Sequence, residues 1–153
     1  MLAWWEIVIR MLLATFVGGL LGWERAARGK PAGLRTLALV SLASAVFILA
    51  GVQGALLLGE PVQAMRGMAG IAGGIGFLGA GVILQARGEV RWLTTAAALW
   101  AAAGLGVAAG LGLYVICIAG AALTYAVLCW FLVVEQRWVR KQKGNGDKQA
   151  PGP

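Results

Sequence analysis

Gly67-Met68-Ala69-Gly70-Ile71-Ala72-Gly73-Gly74-Ile75-Gly76-Phe77-Leu78-Gly79-Ala80-Gly81 is the stretch whose reading decides the fold. Glycines recur at every third position from Gly67 to Gly79, and no charge falls between Arg66 and Arg87. In water this run would make a poor helix, because each glycine costs about 1 kcal/mol relative to alanine. In a bilayer an unpaired backbone group costs several kcal/mol, so the chain is driven into helix despite its propensity. A helix bare of side chains along one flank lets a neighbour approach backbone to backbone. The segment therefore reads as the tightly packed centre of a small membrane protein. Gly74, Gly76, Gly79 and Gly81 are expected to be packing residues, with Phe77 and Trp100 beside them. Gly76→Leu is expected to force the helices apart.

Working outward, composition points the same way. The chain of 153 residues is 60% hydrophobic and 12% charged, with a mean hydropathy of +0.82. Soluble domains carry about 25% charge. Four further apolar runs flank the decisive one, so five spans are expected: about 4–23, 34–58, 67–86, 94–111 and 113–134. Runs of roughly 20 residues match a hydrocarbon core of about 30 Å. The fold expected is an all-α bundle of about five transmembrane helices over residues 1–134. A basic, Gly/Pro-rich tail, 135–153, is expected to be disordered. The opening Met1-Leu2-Ala3-Trp4-Trp5-Glu6 lacks the positive start of a signal peptide, so the first run reads as a retained span.

The net charge of +7 does not indicate nucleic acid, because the cations sit in short gaps between apolar runs. All of the 13 basic residues except Arg10 and Arg66 fall in three regions. These are Arg25 to Arg35, Arg87 with Arg91, and the tail. With five spans the three regions share one side, which the positive-inside rule makes the cytoplasm. The N-terminus is then outside and the C-terminus inside.

Candidate functional side chains are few. Glu6 and Arg10 have the i,i+4 spacing and order of a favourable helical pair. They read either as an interfacial ion pair or as a polar patch. Arg66 opens the third span and is placed to reach Glu60 or Glu6. Glu24 and Arg28 repeat the i,i+4 spacing. Arg25, Arg35 and Thr36 stand at the same mouth, where Glu24 or a lipid phosphate would partner Arg35. Arg91 lies in the short charged loop. Thr94 and Thr95 are N-cap candidates for the fourth span, or donors to an anion at its positive end. Gly18-x-x-x-Gly22 and Gly106-x-x-x-Gly110 are further helix-contact motifs. Glu6, Arg10, Thr36, Ser41, Ser44, Arg66, Thr94 and Thr95 could form a continuous polar path through the spans, and interhelical hydrogen bonding explains the hydroxyl residues equally well.

Several chemistries find no support. The chain has no histidine and only six acidic residues, so no metal site and no Ser/His/Asp set is expected. Gly74-Ile75-Gly76-Phe77-Leu78-Gly79 fits G-x-G-x-x-G, but no strand precedes it and Glu89 comes too soon for a dinucleotide site. Cys117 and Cys129 fall on one helix about 18 Å apart, too far for a disulfide. No cofactor and no enzymatic activity are expected.

Four blocks of this sequence resemble the N-terminal membrane domain of the MgtC/SapB family. The first is Glu6-Ile7-Val8-Ile9-Arg10-Met11-Leu12-Leu13-Ala14 with Gly18-Gly19-Leu20-Leu21-Gly22-Trp23-Glu24-Arg25. The second is Ala32-Gly33-Leu34-Arg35-Thr36 with Leu39-Val40-Ser41-Leu42. The third is Gly74 to Ile83. The fourth is Val90-Arg91 with Leu93-Thr94-Thr95-Ala96-Ala97-Ala98-Leu99-Trp100. Order and spacing agree over about residues 4–134. The sequence departs from the family pattern at Trp92 (commonly glycine), Leu37 (commonly histidine) and Gln63 (near a common acidic residue). The soluble C-terminal domain of many members is not expected here. The resemblance implies a bacterial inner-membrane protein tied to magnesium homeostasis or survival inside hosts. It implies regulation of other membrane machinery, including the rotary ATP synthase and P-type magnesium pumps, with transport of an ion or small solute as the alternative. Homo-oligomers are also compatible with it.

Overall fold

Residues 2–59, 62–84 and 91–131 are described in the computed structural model, and every regular element among them is helical. The helices are α1 (Trp4–Ala27), α2 (Leu34–Leu58), α3 (Val62–Leu84), α4 (Leu93–Gly110) and α5 (Tyr114–Ala126), the last running on into a π-helical turn, Val127–Phe131. The first four are long and apolar enough to cross a membrane, and Tyr114–Trp130 is a shorter apolar helix. The protein is thus an all-α, multi-pass membrane bundle. The expected tail, 135–153, and Glu60, Arg87 and Glu89 lie outside the described residues.

Glycine sets where helices stop. At the end of α1, Gly29 adopts φ 62°, its N–H bonds to the Ala26 carbonyl, and the Lys30 N–H bonds to that of Arg25. This is the Schellman pattern, which satisfies carbonyls left over at a helix end. The same pattern closes α4. Gly112 adopts φ 76°, its N–H bonds to the Ala109 carbonyl, and the Leu113 N–H bonds to that of Ala108. The expected reversal between the fourth and fifth spans is therefore a capped helix end.

Arg10 completes that cap from another helix. Its Nη1 donates to the Gly110 carbonyl at 3.1 Å, placing a cation on the negative end of the α4 dipole. Glu6 does not pair with it. The Glu6 carboxylate instead accepts the Ala3 N–H at 3.3 Å, capping the start of α1. Arg10→Met is expected to lower stability by about 1–2 kcal/mol, the value of a partly buried charged bond to a helix end. Thermal melting in detergent measures it, and an unchanged midpoint would show the bond carries no weight.

The core lies among α1, α2 and α4. Leu21, Leu37, Ile48, Leu99, Ala102 and Ala109 are buried there, and α4 touches all four other helices. The close approaches are made by the two G-x-x-x-G motifs. A Cβ on Gly18 would stand 2.5 Å from the Leu37 carbonyl oxygen, and one on Gly22 would stand 2.6 Å from the Leu34 Cα. On α4, a Cβ on Gly106 would overlap the Ser41 carbonyl oxygen, and one on Gly110 would stand 2.5 Å from Ile48 Cγ2.

The decisive glycine stretch behaves differently from expectation. It forms a helix, but only 11% of its span is buried within the chain, against 56% of α4. An added Cβ on Gly70, Gly73, Gly74, Gly76 or Gly81 would meet nothing within 4 Å, and Phe77 is 81% exposed. Only Gly79, with Ala96 at 3.5 Å from its Cβ position, faces a neighbour. Glycine periodicity reports that a backbone can be approached; it does not say by what. Trp100 is more than half exposed at the edge of an apolar groove of about 180 Å³ between α3 and α4.

Candidate functional site

The polar residues of the bundle gather at the end where α1 finishes and α2 and α4 begin. Glu24 and Arg25 occupy the last turn of α1, yet both are buried, at 6% and 3% exposure. Burial of charged groups requires partners. Glu24 Oε1 takes the Arg28 guanidinium at 2.6 Å, one helical turn on. Arg25 Nη2 donates to the Thr95 hydroxyl, which is wholly buried in the first turn of α4. One buried bond thus fastens the end of α1 to the start of α4.

The cluster is incompletely satisfied. Among the described residues, Glu24 Oε2 and Arg25 Nε are buried without a hydrogen-bond partner. Such groups carry a full desolvation cost, so sites that retain them often have a role beyond packing.

Two left-handed residues shape the same end. Trp92, at φ 66°, is the N-cap of α4, and Ala32, at φ 56°, lies in the connection before α2. Non-glycine residues there carry strain of order 1–3 kcal/mol and concentrate at functional sites. The expected capping threonines of α4 are displaced by this geometry. Thr95 falls three residues inside the cap and serves Arg25, while Thr94 is exposed. Lys30, released by the α1 cap, stands over the Trp92 ring with Nζ 5.4 Å from its centroid. This cation–π contact ties the α1–α2 connection to the α3–α4 connection. The two border an open cleft of about 540 Å³ with Thr36 and Val82.

Of the residues expected to act together, the structure joins Glu24, Arg25 and Thr95 at this end, with Thr36 nearby. Arg35 is exposed and, among the described residues, forms no ion pair; Glu24 is engaged by Arg28. Arg91 is exposed at the same end. Arg66 is exposed on α3, and its proposed partner Glu60 lies outside the described residues. Glu6 and Arg10 belong to the opposite end. Ser41 and Ser44 are buried in the core, where the Ser44 hydroxyl bonds back to the Val40 carbonyl at 2.9 Å. Among the described residues, no three of His, Cys, Asp and Glu come together as metal ligands. Cys117 is a buried thiol donating to the Leu105 carbonyl at 3.6 Å, and Cys129 is also free. The Lys30–Trp92 contact carried no sequence signal beyond the departure from glycine at position 92.

Comparison with known proteins agrees with this architecture. Residues 11–137 match the MgtC family. The chain is 37% identical over 149 residues to protein SrpB of Synechococcus elongatus, covering 90% of this chain and 82% of that one. It is 39% identical over 127 residues to YhiD of Escherichia coli K12, whose name proposes a magnesium transporter, and 44% identical over 127 residues to protein MgtC of Salmonella typhimurium LT2. These two alignments cover 80% of this chain but only 59% of YhiD and 49% of MgtC. No solved structure matches. The chain belongs to the MgtC family.

Proposed function

We propose that this protein is an inner-membrane regulator linked to magnesium homeostasis, acting on other membrane machinery such as an ATP-driven pump or synthase. Its basic end faces the cytoplasm, as the positive-inside rule requires. One observation carries this reading. At the centre of the bundle, α1, α2 and α4 meet backbone to backbone at Gly18, Ser41 and Gly106, leaving no room for a side chain, let alone a hydrated ion. The candidate residues for a polar path are dispersed: Ser41 and Ser44 in the core, Thr95 on Arg25, and Thr36, Thr94 and Arg66 on the surface. The bare glycine face of α3 offers what a regulator needs, a surface that a partner helix can approach closely.

The face can be tested without harming the fold. A Cβ on Gly73 would meet nothing within 4 Å, so Gly73→Leu is expected to insert and melt like the parent. It is expected to abolish support of growth at low magnesium in a strain that depends on this protein. Full support by a stably inserted Gly73→Leu protein would refute action through this face. The second reading, transport of Mg²⁺ or another small solute, is favoured by the name of YhiD and by the incompletely partnered Glu24–Arg25 cluster.

A further inference from the structure

We propose that the cleft between the α1–α2 connection and the start of α4 binds a phosphate group, presented by an anionic phospholipid headgroup or by a soluble phosphate. The inference stands apart from whether the protein regulates or transports. The cleft, about 540 Å³, has a cation, a hydroxyl and an aromatic ring in its lining: Lys30, Thr36 and Trp92. Among the described residues, its lining contains no carboxylate. Lys30 is half-buried, and among the described residues its partner is the Trp92 ring, which leaves the ammonium donors available.

Among the described residues the surrounding field is positive on balance. Arg25, Arg28, Lys30, Arg35 and Arg91 lie at this end, and Glu24, already engaged by Arg28, is the one carboxylate among the described residues there. Thr36 stands in the first turn of α2, and Trp92 is the N-cap of α4. Neither helix has a side-chain cap or an acidic residue in its first turn, so both present unpartnered N–H groups and positive dipole ends toward the same region. The buried Arg25 guanidinium is independent of the cleft lining. It is 3% exposed, donates from the last turn of α1 to Thr95 in the first turn of α4, and among the described residues keeps an Nε–H without an acceptor. A buried cation beside two positive helix ends repels other cations and favours an anion. The apolar part of the wall, Pro31, Val82 and Trp92, suits the glycerol and upper acyl region of a lipid. Tryptophan is enriched at that depth in membranes.

Native mass spectrometry of the full chain in detergent tests this with phosphatidylglycerol and phosphatidylcholine as probes. The expected result is phosphatidylglycerol binding about tenfold tighter, the effect of one charge-assisted bond. Lys30→Gln and Thr36→Val should each erase most of that preference, and Lys30→Arg should restore it. Lys141→Gln/Lys143→Gln, in the basic tail, should leave it intact. Displacement of the lipid by millimolar glycerol phosphate would assign the site to soluble phosphates, and persistence of the lipid would assign it to the headgroup. Equal binding of the two lipids, or a preference that survives Lys30→Gln but is lost with the tail lysines, would overturn the proposal.

Discussion

Gly106→Val should leave the chain unable to assemble. The added Cβ would overlap the carbonyl oxygen of Ser41 and stand 2.8 Å from its carbonyl carbon. Those atoms belong to the α2 backbone, so no rotamer change relieves the clash, and α2 and α4 must separate. Separation would also break the contact of Gly110 with Ile48, which lies on the same seam between α2 and α4. Overpacking that side chains can absorb costs about 1–3 kcal/mol, and a backbone clash exceeds it. Gly76→Leu is the matched control. Nothing lies within 4 Å of its Cβ position, and leucine is the better helix former by close to 1 kcal/mol. Gel filtration and melting in detergent should show a lost or aggregated Gly106→Val protein and a monodisperse Gly76→Leu protein. The reverse ranking would contradict the packing described above.

Thr95→Val should cost about 3 kcal/mol although it barely changes volume, because it strands a buried charge. Arg25 is 3% exposed, its Nε already lacks an acceptor, and the Thr95 hydroxyl is the partner its Nη2 holds. Removing one member of a buried pair is far more harmful than replacing both by apolar groups. Arg25→Met combined with Thr95→Val should therefore recover most of the loss, giving a coupling of about 2 kcal/mol in a double-mutant cycle. Denaturant titration of the four proteins measures it. Additive losses would mean that α1 and α4 are not fastened through this bond.

These two sites also show how far the sequence could be read. Helical class and the five helices followed from hydropathy and length, because the bilayer forces apolar runs of sufficient length into helix, but only four of the five are long enough to count as spans and the last is a shorter apolar helix. The ends of α2 came out as expected, Leu34–Leu58, since Gly33 and Gly59 bracket the run. What failed was the assignment of neighbours. The densest glycine run, in α3, faces outward, while the sparser Gly18/Gly22 and Gly106/Gly110 motifs make the core contacts. Spacing marks a bare flank but carries no information on which helix covers it. Glu6 with Arg10 misled for a similar reason. Local i,i+4 spacing competes with tertiary acceptors, and the Gly110 carbonyl, 100 residues away, is the stronger claim on a membrane arginine. The Glu24–Arg28 pair was legible because both partners sit on one helix. The Arg25–Thr95 bond and the Lys30–Trp92 contact join distant segments, and a single sequence has no term for that.

The closed centre and the regulatory role are tested most directly by ion flux into sealed liposomes containing only this purified protein. A magnesium-sensitive dye and a membrane-potential dye would be followed in parallel, with insertion verified. The account predicts no flux above that of empty vesicles. Saturable, protein-dependent flux abolished by Arg25→Ala or Arg66→Ala would contradict it and make this protein a transporter.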